Sequence, residues 1–203
     1  MAVPKEYNSD IFINCPFDAG YARTFEALRF AVFALGFRPR TAREVDDGAD
    51  IRINRIMRII GECRYGIHDI SRTELDPVIG LPRFNMPLEL GIFLGARRFG
   101  DDDQEKKSVL ILDREQYRYR DFISDLAGID IHSHGGDVLQ AVREVREWLV
   151  NASRRRLMSS ARLVEQYEAF MADLPDMAHA EGFDPDNIPY VDFDYFVALW
   201  LAR

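Results

Sequence analysis

Strand-like apolar runs alternating with stretches of helical spacing constrain this chain more than any other feature. Residues 10–16 (DIFINCP) form a short apolar run that Pro16 stops. Residues 21–35 then place Phe25, Leu28, Ala31, Val32 and Leu35 one helical turn apart, and Gly36 suits the end of that helix. Residues 37–42 are a weaker strand candidate, because Pro39 offers no N–H to a central ladder. Residues 51–63 read as an amphipathic helix with Ile53, Ile56, Ile59 and Ile60 inside, and residues 64–71 (RYGIHDIS) as a strand with a polar end. An irregular loop, 73–83, leads to a helix over 87–97. Residues 108–113 (SVLILD) are the most hydrophobic strand candidate. A helix is expected over 117–127, ended by Gly128, and a short edge strand over 130–134. Gly135-Gly136 makes a turn, and Asp137 caps a long helix reaching about Ser153.

Strict alternation of this kind implies parallel strands with crossover helices. The expected fold over residues 1–153 is a doubly wound, flavodoxin-like α/β sheet of about five strands with helices on both faces. Residues 154–203 change in texture. A helix is expected over 157–174 and an acidic loop over 175–189, followed by a segment rich in Phe193, Tyr195, Phe196 and Trp200. These read as a helical C-terminal extension that packs on the domain, on a protein partner or on a second copy.

Composition narrows the function classes. The 203 residues carry a net charge of −8, which argues against a general nucleic-acid surface. Arg154-Arg155-Arg156 reads as a solvated face. Cys15 and Cys63 sit in apolar contexts and make neither a disulfide framework nor a metal site. The start of the chain is polar, and no apolar run reaches the roughly 18 residues of a membrane helix. The expectation is a soluble cytoplasmic protein without a metal or a resident cofactor. There is no Gly-rich phosphate loop, no GxSxG elbow and no HExxH.

In doubly wound sheets ligands gather beyond the carboxyl ends of the strands. That rule selects Asn14, Pro16, Phe17 and Asp18 after the first strand, Asp69, Ser71 and Arg72 after the third, and Asp113 and Arg114 after the fourth. A further candidate lies in residues 81–96 (LPRFNMPLELGIFLGA), a Pro- and Asn-bearing loop running into a buried helix. Pro87 suits the first helical turn, and Asn85 or Met86 falls near the N-cap. Gly91 and Gly95 form a small-residue stripe that suits close packing on a sheet. One charge, Glu89, enters this apolar run. It reads either as a capping carboxylate at the third helical position or as a catalytic carboxylate held ionised by the positive end of the helix. Asp69 reads either as a strand-end residue tying down the next loop or as a second acid in one crevice with Glu89. His68 belongs on the opposite face of its strand from Asp69. Phe17 can stack on a base and Asn14 can bond a sugar or phosphate; equally, they can be a core ring and a loop amide.

FINCPFD at 12–18, GIHDIS at 66–71 and FNMPLELGIFLGA at 84–96 resemble the nucleoside 2-deoxyribosyltransferase superfamily, which is similar to TIR domains. The resemblance spans about residues 10–153, with the ELG helix its most specific motif. It implies Glu89 as the catalytic carboxylate and Asp69 as a substrate-binding acid. The chain also looks like bacterial members linked to anti-phage defence, whose TIR-like relatives split NAD. It departs from them in its C-terminal extension and in the acidic loop 44–50, which Arg40, Arg43, Arg72 and Arg83 can offset.

The function expected on this basis is cleavage of an N-glycosidic bond in a nucleoside, a nucleotide or NAD. Glu89 and Asp69 would be catalytic, and Asn14, Pro16, Phe17, Asp18, Ser71, Asn85 and Met86 would bind substrate. The alternatives are a nucleotide-sensing module that does no chemistry and a protein-interaction module of the same fold.

Overall fold

The structure, a computed structural model, describes residues 6–44, 47–75, 80–82 and 84–203. Asp46 of the acidic loop and Arg83 lie outside the described residues. The strands are β1 (Asp10–Asn14), β2 (Arg38–Arg40), β3 (Tyr65–Asp69), β4 (Ser108–Asp113) and β5 (His132–Ser133). Every pairing is parallel, and the spatial order is β2-β1-β3-β4-β5. The winding reverses between β1 and β3, and a crevice belongs at the carboxyl ends of those two strands. The doubly wound parallel sheet is therefore the fold of this chain. Pro39 is accommodated because β2 is an edge strand, paired with β1 alone.

Among the described residues there are six α-helices: α1 (Ala22–Ala34), α2 (Arg52–Glu62), α3 (Asn85–Phe99), α4 (Val138–Ser153), α5 (Ser160–Ala180) and α6 (Tyr190–Leu201); α5 and α6 pack on α1, and α5 also on α4. Strand alternation sorts them. Ile11, Ile13, Tyr65, Ile67, Leu110 and Leu112 point to the face holding α1, α4, α5 and α6. Phe12 and Val109 meet α2 and α3 on the other face, while Ile111 packs with Met86 and Leu90 of α3. Gly66 of β3 makes room for Phe93 of α3, since a Cβ there would lie 2.7 Å from that ring. The close approach is thus made by a strand glycine. Nothing lies within 4 Å of where Cβ atoms on Gly91 or Gly95 would stand, so the expected helix stripe is not what lets α3 approach.

The C-terminal extension shares the core of the domain. Leu163, Phe170, Phe196 and Val197 belong to the same buried cluster as β1 and α1. Phe30 of α1 stacks on Phe170 of α5 at 5.1 Å, and Trp200 of α6 meets Phe170 edge-on at 5.9 Å. Such ring pairs contribute about 0.5–1.5 kcal/mol beyond their buried area. The buried Arg29 of α1 pairs with Asp194 of α6 at 2.5 Å and lies over the Tyr190 ring at 3.8 Å.

Three local expectations differ from the structure. Residues 117–127 are two short 3-10 turns, Arg118–Asp121 and Ser124–Leu126, where a helix was expected. Arg118 is drawn to Asp113 and to the Ile70 carbonyl, and Tyr117 takes a left-handed φ of 67°, which breaks helical continuation. Helix α5 runs through Pro175 to Ala180 and does not stop at 174, because Leu174, Met177 and Ala178 all bury on the core. Helix α3 begins at Asn85 with Phe84 as its N-cap, so Glu89 is its fifth residue. Among the described residues, no helix is long and apolar enough to cross a membrane.

Candidate active site

Three segments converge at the carboxyl edge of β1 and β3: the turn after β1, the turn after β3 and the first two turns of α3. Asn14 holds them together. Its amide donates to the Met86 carbonyl at 2.8 Å and lies 3.0 Å from His68 Nδ1. Asn14 and His68 are direct partners in the parallel ladder, so the amide reaches His68 and α3 at once. The start of α3 is thereby fixed to the end of β1. His68 sits between the Phe12 and Phe93 rings, and burial lowers its pKa to about 3. It is a neutral packing group that accepts from Asn14, on the opposite face from Asp69 as strand alternation requires.

Glu89 is 5% exposed in the second turn of α3, among Met86, Leu90 and Phe93. Among the described residues, no donor hydrogen-bonds its carboxylate. Burial raises its pKa from 4.5 to about 7, and the Arg52 charge at the start of α2 opposes the rise. This corrects two expectations. Glu89 is not a first-turn cap, because Pro87 holds the third helical position. Nor does the helix terminus keep it ionised, since the dipole fades beyond the first turn and desolvation prevails. Burial thus favours its protonated form far more than in an exposed glutamate.

Asp69 has a different environment. It is wholly buried, and its Oδ1 accepts from the Ser71 N–H at 2.8 Å. Its Oδ2 accepts from the Tyr21 hydroxyl and lies 3.2 Å from His134 Nε2, at an angle that makes a poor hydrogen bond. His134 Nδ1 accepts from the Gly136 N–H, which places the proton of a neutral ring on Nε2, facing Asp69. Burial and the Asp69 charge push the Tyr21 hydroxyl well above its usual pKa, so it stays a donor. Asp69 is thus fully used in joining β3, the turn after β1 and the segment after β5.

Asp69 and Glu89 start on opposite faces of the sheet, and both act on the buried Cys15 thiol after β1. Burial raises its thiol pKa most, Asp69 and Glu89 raise it further, and Arg29 and Arg43 pull it back. Asp18 and Arg72 pair at 2.6 Å and tie the turn after β1 to the turn after β3. Pro16 is buried, and the half-buried Phe17 packs edge-on to Phe25 at 5.2 Å. Ser71 is buried, Asn85 is exposed, and Met86 is buried with its carbonyl held by Asn14. Asp113 pairs with Arg118 and Arg114 with Glu74, and both acids are bound at the β4 side. Near Glu89 along the chain, Phe84, the N-cap of α3, and Leu88 are exposed at 66% and 55%.

Tyr21, His134 and Arg52 were not singled out from the sequence. The strand-end rule applied to the short β5 finds His134; nothing local marks Tyr21 or Arg52, whose roles depend on packing between elements. Among the described residues, no group of three His, Cys, Asp or Glu side chains is arranged to hold a metal ion. No protein-family model matches this chain, and no curated protein matches it.

Proposed function

We propose that this chain cleaves N-glycosidic bonds, acting on a nucleoside, a nucleotide or NAD, with Glu89 as the carboxylate that meets the sugar. The observation that carries this reading is Glu89 itself. It is a buried carboxylate with no hydrogen-bonded donor among the described residues and a pKa of about 7, set beside the β1–β3 switch point. Surplus acids in a structural role are normally paired or capping; among the described residues this one is neither. In its ionised form it can stabilise a sugar cation or attack the anomeric carbon as the C–N bond breaks. The departing base takes the bonding electrons and a proton, and water or a free nucleobase, giving up a proton, supplies the oxygen or nitrogen that replaces it at the anomeric carbon. Asp69 acts as a positioning residue in this scheme, holding Tyr21 and the Ser71 turn. The resemblance to deoxyribosyltransferase-like and TIR-like proteins supports the same assignment of Glu89, and a defence role follows from that resemblance alone.

The test is incubation with NAD and with deoxynucleosides, followed by chromatography of the released base. Glu89→Gln is expected to lower base release roughly 10²–10³-fold. Wild-type kcat/KM is expected to rise about tenfold per pH unit below about 7 and level off above it, because the ionised group acts. Equal release by both proteins removes Glu89 from the chemistry.

A second reading is favoured by a separate observation. The outer stripe of α6, Val191, Tyr195 and Leu199, is exposed at 66%, 50% and 40%. An interaction module would dock this stripe on a protein partner or a second copy, with the Glu89 site sensing a nucleotide without turnover. Retention of intact nucleotide over hours by a self-associated form supports that reading.

A further inference from the structure

A cavity of about 240 Å³ lies between the turn after β1, the outer side of α1 and the start of the C-terminal helix α6. Phe17, Phe25, Tyr190 and Phe193 give it aromatic walls, and Arg43 stands at its lip. The Arg43 guanidinium lies 5.5 Å from the Phe17 ring centre and 5.9 Å from that of Tyr190. The neighbouring charges are already engaged. Arg72 holds Asp18, Arg40 holds Glu44 and Arg29 holds Asp194. Burial biases Glu26, on the α1 wall, toward its neutral form. Among the described residues, no carboxylate pairs with Arg43. The cavity therefore presents aromatic rings and, among the described residues, one cation, Arg43, without a carboxylate partner.

We infer that this recess, walled by the C-terminal extension, takes one flat heterocyclic ring of a phosphate-bearing ligand, with Phe17 and Tyr190 flanking the ring and Arg43 meeting the phosphate. The volume limits the occupant. Drug-sized ligands fill about 300–1,000 Å³, so this cavity takes one ring system, and the rest of the ligand continues outside it. The recess is lined by Pro16, Phe17 and Asp18 of the turn after β1, the turn that Asp18–Arg72 ties to the turn after β3. The inference deepens the glycosidase reading by assigning base recognition to Phe17 and Tyr190 and phosphate recognition to Arg43, and it rests on that reading only for the claim that the ligand is a substrate. The extension is then more than core packing: its start, Asn187–Tyr190, selects what the domain binds.

The test is calorimetric titration with adenosine 5′-monophosphate, adenosine and inorganic phosphate. The proteins are wild type, Arg43→Ala, Phe17→Leu and Tyr190→Phe, each first checked for an unchanged melting curve. Arg43→Ala is expected to weaken the monophosphate at least about tenfold and to leave adenosine unchanged, since the charged contact serves the phosphate. Phe17→Leu is expected to weaken both roughly five- to a hundredfold, through lost stacking, while Tyr190→Phe keeps the ring and the affinity. Phosphate alone is expected not to compete at equal concentration. No binding of the monophosphate by wild type, or equal binding by Arg43→Ala and Phe17→Leu, overturns the inference. Glu89→Gln separates the two proposals. If it binds the monophosphate like wild type while wild type releases no base from any substrate, the recess stands and the enzyme reading fails. If base release depends on Glu89 but is untouched by Arg43→Ala and Phe17→Leu, the recess fails and the enzyme reading stands.

Discussion

On the side of the sheet covered by α1, α4, α5 and α6, the buried interior is mainly rings and branched chains: Phe30, Tyr167, Phe170, Phe193, Phe196 and Val197. On the side covered by α2 and α3, the apolar clusters are smaller and titratable groups are buried beside them. His68 is held neutral with a pKa near 3, and Lys107 is lowered to about 8 while its ammonium donates to the Ile60 and Cys63 carbonyls that end α2. Glu89, raised to about 7, sits at the edge of the same side. All three shifts have burial as their largest cause. Burial also opposes the charged forms of Cys15, Tyr21, Glu26 and Asp194 on the α1 side, so the sides differ in the size of their ring core and not in having such groups. The extension strengthens the first side.

That contrast breaks most visibly in the ring core. Phe170→Ala removes a fully buried ring that touches Phe30, Phe193 and Trp200, and it is expected to cost about 3–5 kcal/mol in denaturant melts. A loss under about 1 kcal/mol means that α5 and α6 merely lie on the domain.

The opposite sign is expected at Glu89. Its pKa is raised on folding, so the folded chain binds more protons than the unfolded chain between pH 4.5 and about 7. Stability therefore falls as pH rises through that window. Glu89→Gln removes the penalty and is expected to be more stable than wild type by about 3 kcal/mol at pH 8, with the difference vanishing near pH 4. A pH-independent difference ties Glu89 to packing alone. A gain in stability with a loss of activity marks a residue kept for chemistry.

Asn14 sharpens the comparison at the junction of the two sides. Asn14→Ala leaves His68 Nδ1 without its donor and frees the Met86 carbonyl, and the expected cost is about 1–3 kcal/mol. Amide exchange should quicken across the first turn of α3 and little elsewhere. Uniform quickening shows that Asn14 supports the whole sheet and not α3 in particular.

The sheet was legible because each strand and helix carries its own period, and short connections leave parallel winding as the ready solution. Glu89 stood out because a lone charge in LPRFNMPLELGIFLGA has few structural uses. Its environment was not legible. Whether a carboxylate is capped or left unpaired depends on where the helix begins, and Phe84 sets that start two residues earlier than Met86 would. Asp69 was placed correctly at the end of β3. Its engagement by Tyr21 and His134 comes from segments 48 and 65 positions away and has no local signature. Helix 117–127 failed because Arg118 is bound to Asp113 and the Ile70 carbonyl across the β4 edge, a tertiary pull that overrides the local period.

The smallest effect on stability is expected at the tie between Arg72 and Asp18. Both side chains are partly exposed, at 41% and 29%, so solvent screening leaves the pair worth less than about 1 kcal/mol. Arg72→Ala should therefore lower the melting temperature by no more than about 2–4 °C. Its effect on access should be larger, because this pair joins the turns on either side of the β1–β3 switch point. Hydrogen exchange at residues 17–20 and 71–73 is expected to quicken while α4 and α5 keep their protection. If those turns stay protected, then Tyr21 and the Ser71 N–H, through Asp69, hold the two turns by themselves. Under the proposed function, a ligand would then have to enter by movement on the α3 side, around the exposed Phe84 and Leu88, where the apolar packing is thinner.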